Sequence, residues 1–310
     1  MRILTVGAGA VGGYFGARLL QAHQDMTFLV RPARAEKLQQ NGLVIKDPQN
    51  NHITLPSPPT ILAEQIKQPF DLILLSCKAY DLEDAIRSFA PAVGSNTVIL
   101  PLLNGMRHIQ TLENAFGKDK VLGGLCNIVS TVEADGVIHQ MTPTHNITFG
   151  ELNGVKTNRA EAIAHILKQA KFDSELSSNI TLAMWEKWLF LASLAASTCL
   201  MRAPIGEIIA APDGKTFILM LIEEIRSIAV KHGYQPDVER AHRMLTEPGS
   251  TLTASMYRDL QHGSRIEAEQ IVGDLLFRAE QSGMNMDTLI RLRAAYTHLK
   301  AYESQRMANQ

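Results

Sequence analysis

"RILTVGAGAVGGYFG", Arg2 to Gly16, decides the fold. A short β-rich run ends in glycines, and Val11–Ala22 reads as the helix directly after it. Gly7, Gly9 and Gly12 stand in GxGxxG spacing. Between a strand and a helix, each glycine of that pattern has a physical task. Gly7 allows the tight turn, Gly9 lets a pyrophosphate approach the backbone, and Gly12 lets the helix press on the strand. The helix amino terminus then faces the phosphates. The spacing alone is common in glycine-rich turns. The strand before it and the helix after it make a dinucleotide site of Gly7, Ala8, Gly9, Ala10, Val11 and Gly12.

A second strand, "MTFLVR", ends at Arg31. An NAD site wants Asp or Glu at that place, to accept from the ribose 2′-hydroxyl. Here stand Arg31, Arg34 and Lys37, with no acid before Glu36, and a guanidinium suits a 2′-phosphate. The expected cofactor is NADP(H). "DLILLSCK" and "NTVILPLLNG" are continuous apolar runs, as expected of strands buried on both faces. Leu82–Phe89 and Ile109–Phe116 read as helices, "GVIHQM" and "NITFGEL" as a later β section, and Asn158–Lys171 as a helix. The alternation predicts a doubly wound α/β domain of Rossmann type over residues 1–180. Residues 181–310 then read as an all-helical domain. Its helices are Thr181–Met201, Gly214–His232, Asp237–Leu245, Thr251–Gln261, Ile266–Gln281 and Asp287–Met307, punctuated by Pro212, Gly233, Pro248-Gly249 and Gly283.

The composition excludes several classes. The 310 residues are 45% hydrophobic and 20% charged, and the net charge is −1, which gives no electrostatic case for nucleic acid or an anionic membrane. No basic leader precedes an apolar segment, so no signal peptide is expected. The uncharged run Trp188–Met201 is short of the roughly 20 residues that span a bilayer, and Lys187 and Arg202 bound it. Three scattered cysteines fit a reducing cytoplasm. The histidines show no ligand spacing, and no metal is expected. A cytoplasmic protein follows, with long apolar helices compatible with a homodimer.

Some polar residues stand out. On a helix, Lys187 shares its face with Ala183, Met184, Phe190, Leu191 and Leu194. A lysine on such a stripe either stretches its head to water or is held for a purpose. Lys78 ends "LILLSCK" and Asn104 follows "VILPLL", which puts both at the carboxyl edge of the sheet, where ligands bind. Taken singly, Lys78 reads as a solvated strand end and Asn104-Gly105 as a turn. In "ASMYRDLQHGSRIEAEQ", Ser255 reads as a helix cap and Glu267 as a first-turn acid facing the helix dipole.

Together these residues carry a resemblance. "GAGAVG", "CKAYD" with Lys78, "NGM" at Asn104–Met106, "WEK" ending at Lys187, "SMYRD" with Ser255, and Glu267 follow in order and rough spacing. Over nearly its whole length the chain resembles the ketopantoate reductase (2-dehydropantoate 2-reductase) family. The resemblance implies a Rossmann domain and a helical domain with a cleft between them, and NADPH-dependent reduction of ketopantoate to pantoate, or of a related 2-keto acid. It implies that Lys187 is the general acid that protonates the keto oxygen, and that Lys78 and Asn104 orient cofactor and substrate. Ser255 would grip the substrate, Glu267 would contact the cofactor side of the cleft, and the backbone near Val132 would touch the nicotinamide end. An apolar surrounding favours release of a proton from an ammonium, which suits an acid catalyst.

The departures matter as much. Pantoate-forming members carry asparagines one and two turns after the lysine, where this chain has Leu191 and Ala195. A further asparagine of the family is Ile205 here. Thr198, on the face of Lys187, is the candidate to replace one of these amides at the substrate. Two other readings compete: a different two-domain NADP-dependent hydroxy-acid dehydrogenase, and a non-catalytic NADPH-binding sensor. A sensor would need none of Lys187, Asn104 and Glu267.

Overall fold

The computed structural model describes residues 1–49 and 51–308. The chain forms two compact units: one up to Leu103 and again from His108 to Ile180, the other made of Asn104–Arg107 and the residues from Thr181 onward.

The first unit is built on a parallel sheet. Its strands are β1 (Ile3–Val6), β2 (Met26–Leu29), β5 (Thr60–Ile61), β6 (Phe70–Leu75) and β7 (Val93–Pro101), in the order β5-β2-β1-β6-β7. All the pairings are parallel. Helices α1 (Gly12–Gln21), α2 (Pro32–Asn41), α3 (Leu82–Phe89) and α4 (Arg107–Phe116) alternate with them. Ile3, Leu4 and Leu72 to Leu75 are wholly buried. Helices cover both faces of such a sheet, so its central strands read as unbroken apolar runs.

A second sheet carries the rest of the β structure. It runs β10 (Asp173–Leu176), β9 (Ile138–Gly150), β3 (Leu43–Lys46), β4 (His52–Leu55), with β8 (Gly123–Val132) paired antiparallel to β9. "GVIHQM" and "NITFGEL" prove to be one strand. Pro143 obscured this, because proline removes a ladder donor and is tolerated at bulges. Here the register does shift, from Ile128 opposite His145 to Ser130 opposite Gln140. The helix expected over Asn158–Lys171 ends earlier, as α5 (Asn158–Leu167), and β10 follows it. Between them Phe172 is buried edge-on against Phe15, ring centroids 4.9 Å apart.

The second unit is helical, with no strand among its described residues. It contains α6 (Ile180–Met201), α7 (Ile205–Ala210), α8 (Gly214–Lys231), α9 (Glu239–Leu245), α10 (Ser255–Gln261), α11 (Asp274–Gln281) and α12 (Ile290–Ala308). The stretch expected as one helix from Ile266 to Gln281 starts later, at Ala268, and opens with a π-helical segment, Glu269–Gly273, before α11. Among the described residues, no helix is long and apolar enough to cross a membrane.

The contact at Gly12 sets the place of α1. A Cβ there would overlap Ser76 Oγ and the Gly7 carbonyl, and would crowd Thr5 Cγ2 at 3.1 Å. Two of these three are fixed by the sheet and the turn, so the helix itself would have to move. Gly12→Ala is expected to cost about 1–3 kcal/mol, read as a lower urea midpoint by circular dichroism. An unchanged midpoint would show that α1 does not depend on this close approach.

Candidate active site

The cofactor end is built within the first unit. Gly7 has φ +90°, the left-handed region that favours glycine. A Cβ at Gly7 or Gly9 would meet nothing within 4 Å, so the backbone of the turn stands bare. Val11 occupies the N-cap of α1 and makes no side-chain cap. The Gly13 N–H bonds the Gly9 carbonyl at 2.8 Å, and with no side-chain cap the start of the helix keeps its positive end toward the bare turn, an anion site of the kind a pyrophosphate fits.

Two side chains brace this turn through its carbonyls, and a third holds the loop between β8 and β9. Ser130 Oγ donates to the Ala10 carbonyl at 3.0 Å. Arg34 donates from Nε and Nη2 to the Ala8 carbonyl, at 3.1 and 2.9 Å, and from Nη2 to the Gly136 carbonyl at 3.3 Å. Lys37 Nζ reaches the Ala134 carbonyl at 3.1 Å. Burial pushes the Arg34 pKa down, although a guanidinium stays charged all the same. Of the bases after the second strand, two thus hold backbone and one is presented. That one is Arg31, whose side chain is 74% exposed with Asp81 Oδ1 3.7 Å away. An exposed guanidinium at the carboxyl end of β2 fits a ribose 2′-phosphate. Lys78 is exposed just past β6, and Val132 is exposed at the end of β8 beside the hairpin turn.

The other expected residues lie in the second unit. Asn104, three residues past the end of β7 as the sequence placed it, groups with them. The tetrapeptide Asn104–Arg107 packs with the helices, and Gly105, at φ +73°, makes the turn. Lys187 is half-buried on α6. Its neighbours Trp185 and Trp188 are each 1% exposed and stack with centroids 5.0 Å apart. The guanidinium of Arg278 lies over the Trp188 ring at 5.4 Å and is paired with buried Asp274 at 3.0 Å. Such packing fixes the rotation of α6, and with it the direction in which Lys187 leaves the helix. Glu267 is half-buried, and Ser255, at the first position of α10, is exposed. Leu191 is half-buried, while Ala195 and Ile205 are core residues at 3% and 0% exposure.

Thr198 requires a correction. It is wholly buried; its hydroxyl donates to the Leu194 carbonyl at 2.7 Å and accepts from the Ala254 N–H at 3.5 Å. A hydroxyl has one proton, and here the helix backbone takes it. Thr198 ties the start of α10 to α6 and does not replace a lost amide at the substrate. Gln270 was missed altogether. Its Nε2 donates to the Asn104 carbonyl at 2.6 Å, and a glutamine inside an apolar helical stretch gives no signal of such a contact.

Comparison with known proteins agrees across the whole chain. Residues 3–154 match the family model described as ketopantoate reductase PanE/ApbA, and residues 179–303 match the model of its C-terminal region. An uncharacterized oxidoreductase, YkpB, of Bacillus subtilis is 35% identical over 309 residues, covering 99% of this chain and 100% of that one. A 2-dehydropantoate 2-reductase of Archaeoglobus fulgidus is 26% identical, with 92% of each chain covered. The crystal structure of 2-dehydropantoate 2-reductase from Geobacter metallireducens superposes with a TM-score of 0.88 at 26% identity, over 97% of this chain and 99% of that one.

Proposed function

The chain belongs to the ketopantoate reductase family, and on that premise we propose that it reduces a 2-keto acid with NADPH, using Lys187 as the general acid. The observation that carries the reading is a half-buried lysine on an apolar helix whose rotation is fixed by two buried indoles. A lysine that only covers surface needs no such fixing. NADPH, held by the glycine turn and Arg31, would supply the hydride to the keto carbon. Lys187 Nζ gives its proton to the keto oxygen as negative charge grows there. The Asn104 side chain orients the reactants, with Lys78 and the backbone near Val132 on the cofactor side. Ser255 and Glu267 complete the set of contacts.

Magnitudes decide the role of Arg31. Its pair with Asp81 is exposed and 3.7 Å long, and pairs of that kind contribute about 0–1 kcal/mol. A charge-assisted bond to a phosphate contributes roughly 1.5–3 kcal/mol. The 2′-phosphate therefore wins the guanidinium from Asp81, and NADPH is preferred over NADH.

The substrate follows from what lies along α6. Leu191, half-buried on α6, offers a hydrocarbon where an amide would bind a hydroxyl, and Ala195, in the core, supplies no polar group in place of the second amide. A substrate polar group left unpartnered there costs about 1–3 kcal/mol. Ketopantoate or a 2-keto acid with a less polar tail fits, and the less polar acid fits better.

Two substitutions test the assignments. Lys187→Ala is expected to lower kcat by about a hundredfold or more while the Kd for NADPH stays as in the wild type. Near-normal turnover would make Lys187 a surface-covering lysine and end the proposed mechanism. Arg31→Ala is expected to abolish a preference for NADPH of about tenfold or more, measured by fluorescence titration. A wild-type protein that binds both cofactors equally would refute NADP selection.

A further inference from the structure

The π-helical segment Glu269–Gly273 is the place in the second unit where remote parts of the sequence meet. π turns are rare, and they persist where the surroundings require them. Here one side of the turn is anchored to α12. Glu269 Oε1 accepts from Tyr296 Oη at 2.7 Å and from Lys300 Nζ at 2.8 Å. Gly273 closes the turn, because a Cβ there would stand 2.6 Å from Glu269 Oε2 and 3.0 Å from the Tyr296 ring. Val272 is wholly buried.

The other side of the turn carries two contacts that lead to the proposed site. The Ile271 carbonyl accepts from Trp188 Nε1 at 2.9 Å, and Trp188 follows Lys187 on α6. The Gln270 side chain, 5% exposed, donates from Nε2 to the Asn104 carbonyl at 2.6 Å. Gly105 fits this approach closely: a Cβ there would lie 2.6 Å from the Gln270 carbonyl and 3.2 Å from its Nε2. Glu267 stands two residues before the turn, and its carbonyl accepts from the Ile271 N–H at 3.0 Å. One short segment is thus bonded, through the Gln270 side chain, to the segment of Asn104, and through its backbone to the helix of Lys187 and to Glu267.

We propose that Gln270 is a positioning residue for the reaction: its buried amide sets where the Asn104 turn lies relative to the π segment that also holds the helix of Lys187. This rests on the reading of Asn104 as a residue that orients the reactants. The donor is specific to the task. An apolar side chain of the same length would fill the space but leave the Asn104 carbonyl without this bond, and the turn free to shift. Displacements of about 1 Å among reacting groups cost up to roughly a hundredfold in rate.

The test is a double-mutant cycle on the full chain with NADPH and its best 2-keto acid, using Gln270→Met and Asn104→Ala. Gln270→Met alone is expected to lower kcat/KM roughly ten- to a hundredfold. In the Asn104→Ala background the same change is expected to cost about twofold or less, because Gln270 acts through Asn104. Additive effects, or full kcat/KM in Gln270→Met, overturn the proposal. If Asn104→Ala is itself as active as the wild type, the reading of Asn104 falls first. If Asn104→Ala is impaired and Gln270→Met is not, only the role of Gln270 falls. Gln270→Glu, of nearly the same size but presenting an acceptor to a carbonyl, serves as the second variant should the methionine protein fold poorly, and the same outcomes apply to it. Amide exchange at Gly105 and Met106 needs no turnover. It is expected to quicken roughly tenfold in either variant as local opening becomes easier, and unchanged protection overturns the proposal.

Discussion

A helix can present its amino-terminal N–H groups to a phosphate only if it starts close to the strand that feeds it and nothing nearer takes those groups. In the first unit the close start is met at Gly12. The absence of a side chain there lets α1 press on Ser76 and on the Gly7 carbonyl. Val11, the N-cap, adds no side-chain cap, and the Gly13 N–H bonds the Gly9 carbonyl. The rest of the unit is arranged around that approach. β1 lies between β2 and β6 at the centre of the parallel sheet. The loop carbonyls that face away from the helix are taken by Ser130 and Arg34, so the turn is held from its outer side. Arg34 and Lys37 are both spent on backbone carbonyls, which leaves Arg31, paired only at 3.7 Å with Asp81, as the cation presented at the end of β2.

The second unit solves a different problem, that of holding a charged group on an otherwise apolar helix. Fully burying a lone ammonium is costly, and leaving it in bulk water gives no control of its direction. Lys187 sits between these limits. The stacked indoles of Trp185 and Trp188, with Arg278 over one face, lock the helix around it. Cys199, farther along α6, shows how closed this core is. Burial pushes the Cys199 thiol up to about 12, which keeps it protonated and inert. Burial and the Glu269 carboxylate likewise push the Tyr296 phenol up to about 12, so it remains a hydrogen-bond donor to that carboxylate at the anchor of the π turn.

What the sequence revealed and what it hid have physical causes. The glycine turn was legible because its task needs glycine at fixed spacing between a strand and a helix. The parallel strands were legible because burial on both faces leaves no polar interruption, and α3 falls on the residues expected, Leu82–Phe89. β9 was read in two pieces because Pro143 looks like a break unless a bulge accommodates it. β10 was hidden because it is a short strand of alternating exposure whose pairing with β9 is non-local. Thr198 was placed on the correct helix face, but a helical wheel does not show depth, and at 0% exposure its hydroxyl serves the backbone. The π turn, and with it Gln270, had no signal in the sequence. Its Glu269 pairs with Tyr296 and Lys300, residues farther along the chain that meet it only in the fold.

The central claim is that this family member reduces 2-keto acids with NADPH and that its apolar α6 face has changed which acid it prefers. Steady-state kcat/KM for ketopantoate beside 2-ketoisovalerate tests it most directly. The account predicts turnover of both with NADPH, with 2-ketoisovalerate equal or favoured by up to about a hundredfold, the kinetic equivalent of an unpartnered polar group. A preference for ketopantoate of about a hundredfold or more would contradict the substrate reading, and no turnover of any 2-keto acid would contradict the reductase itself.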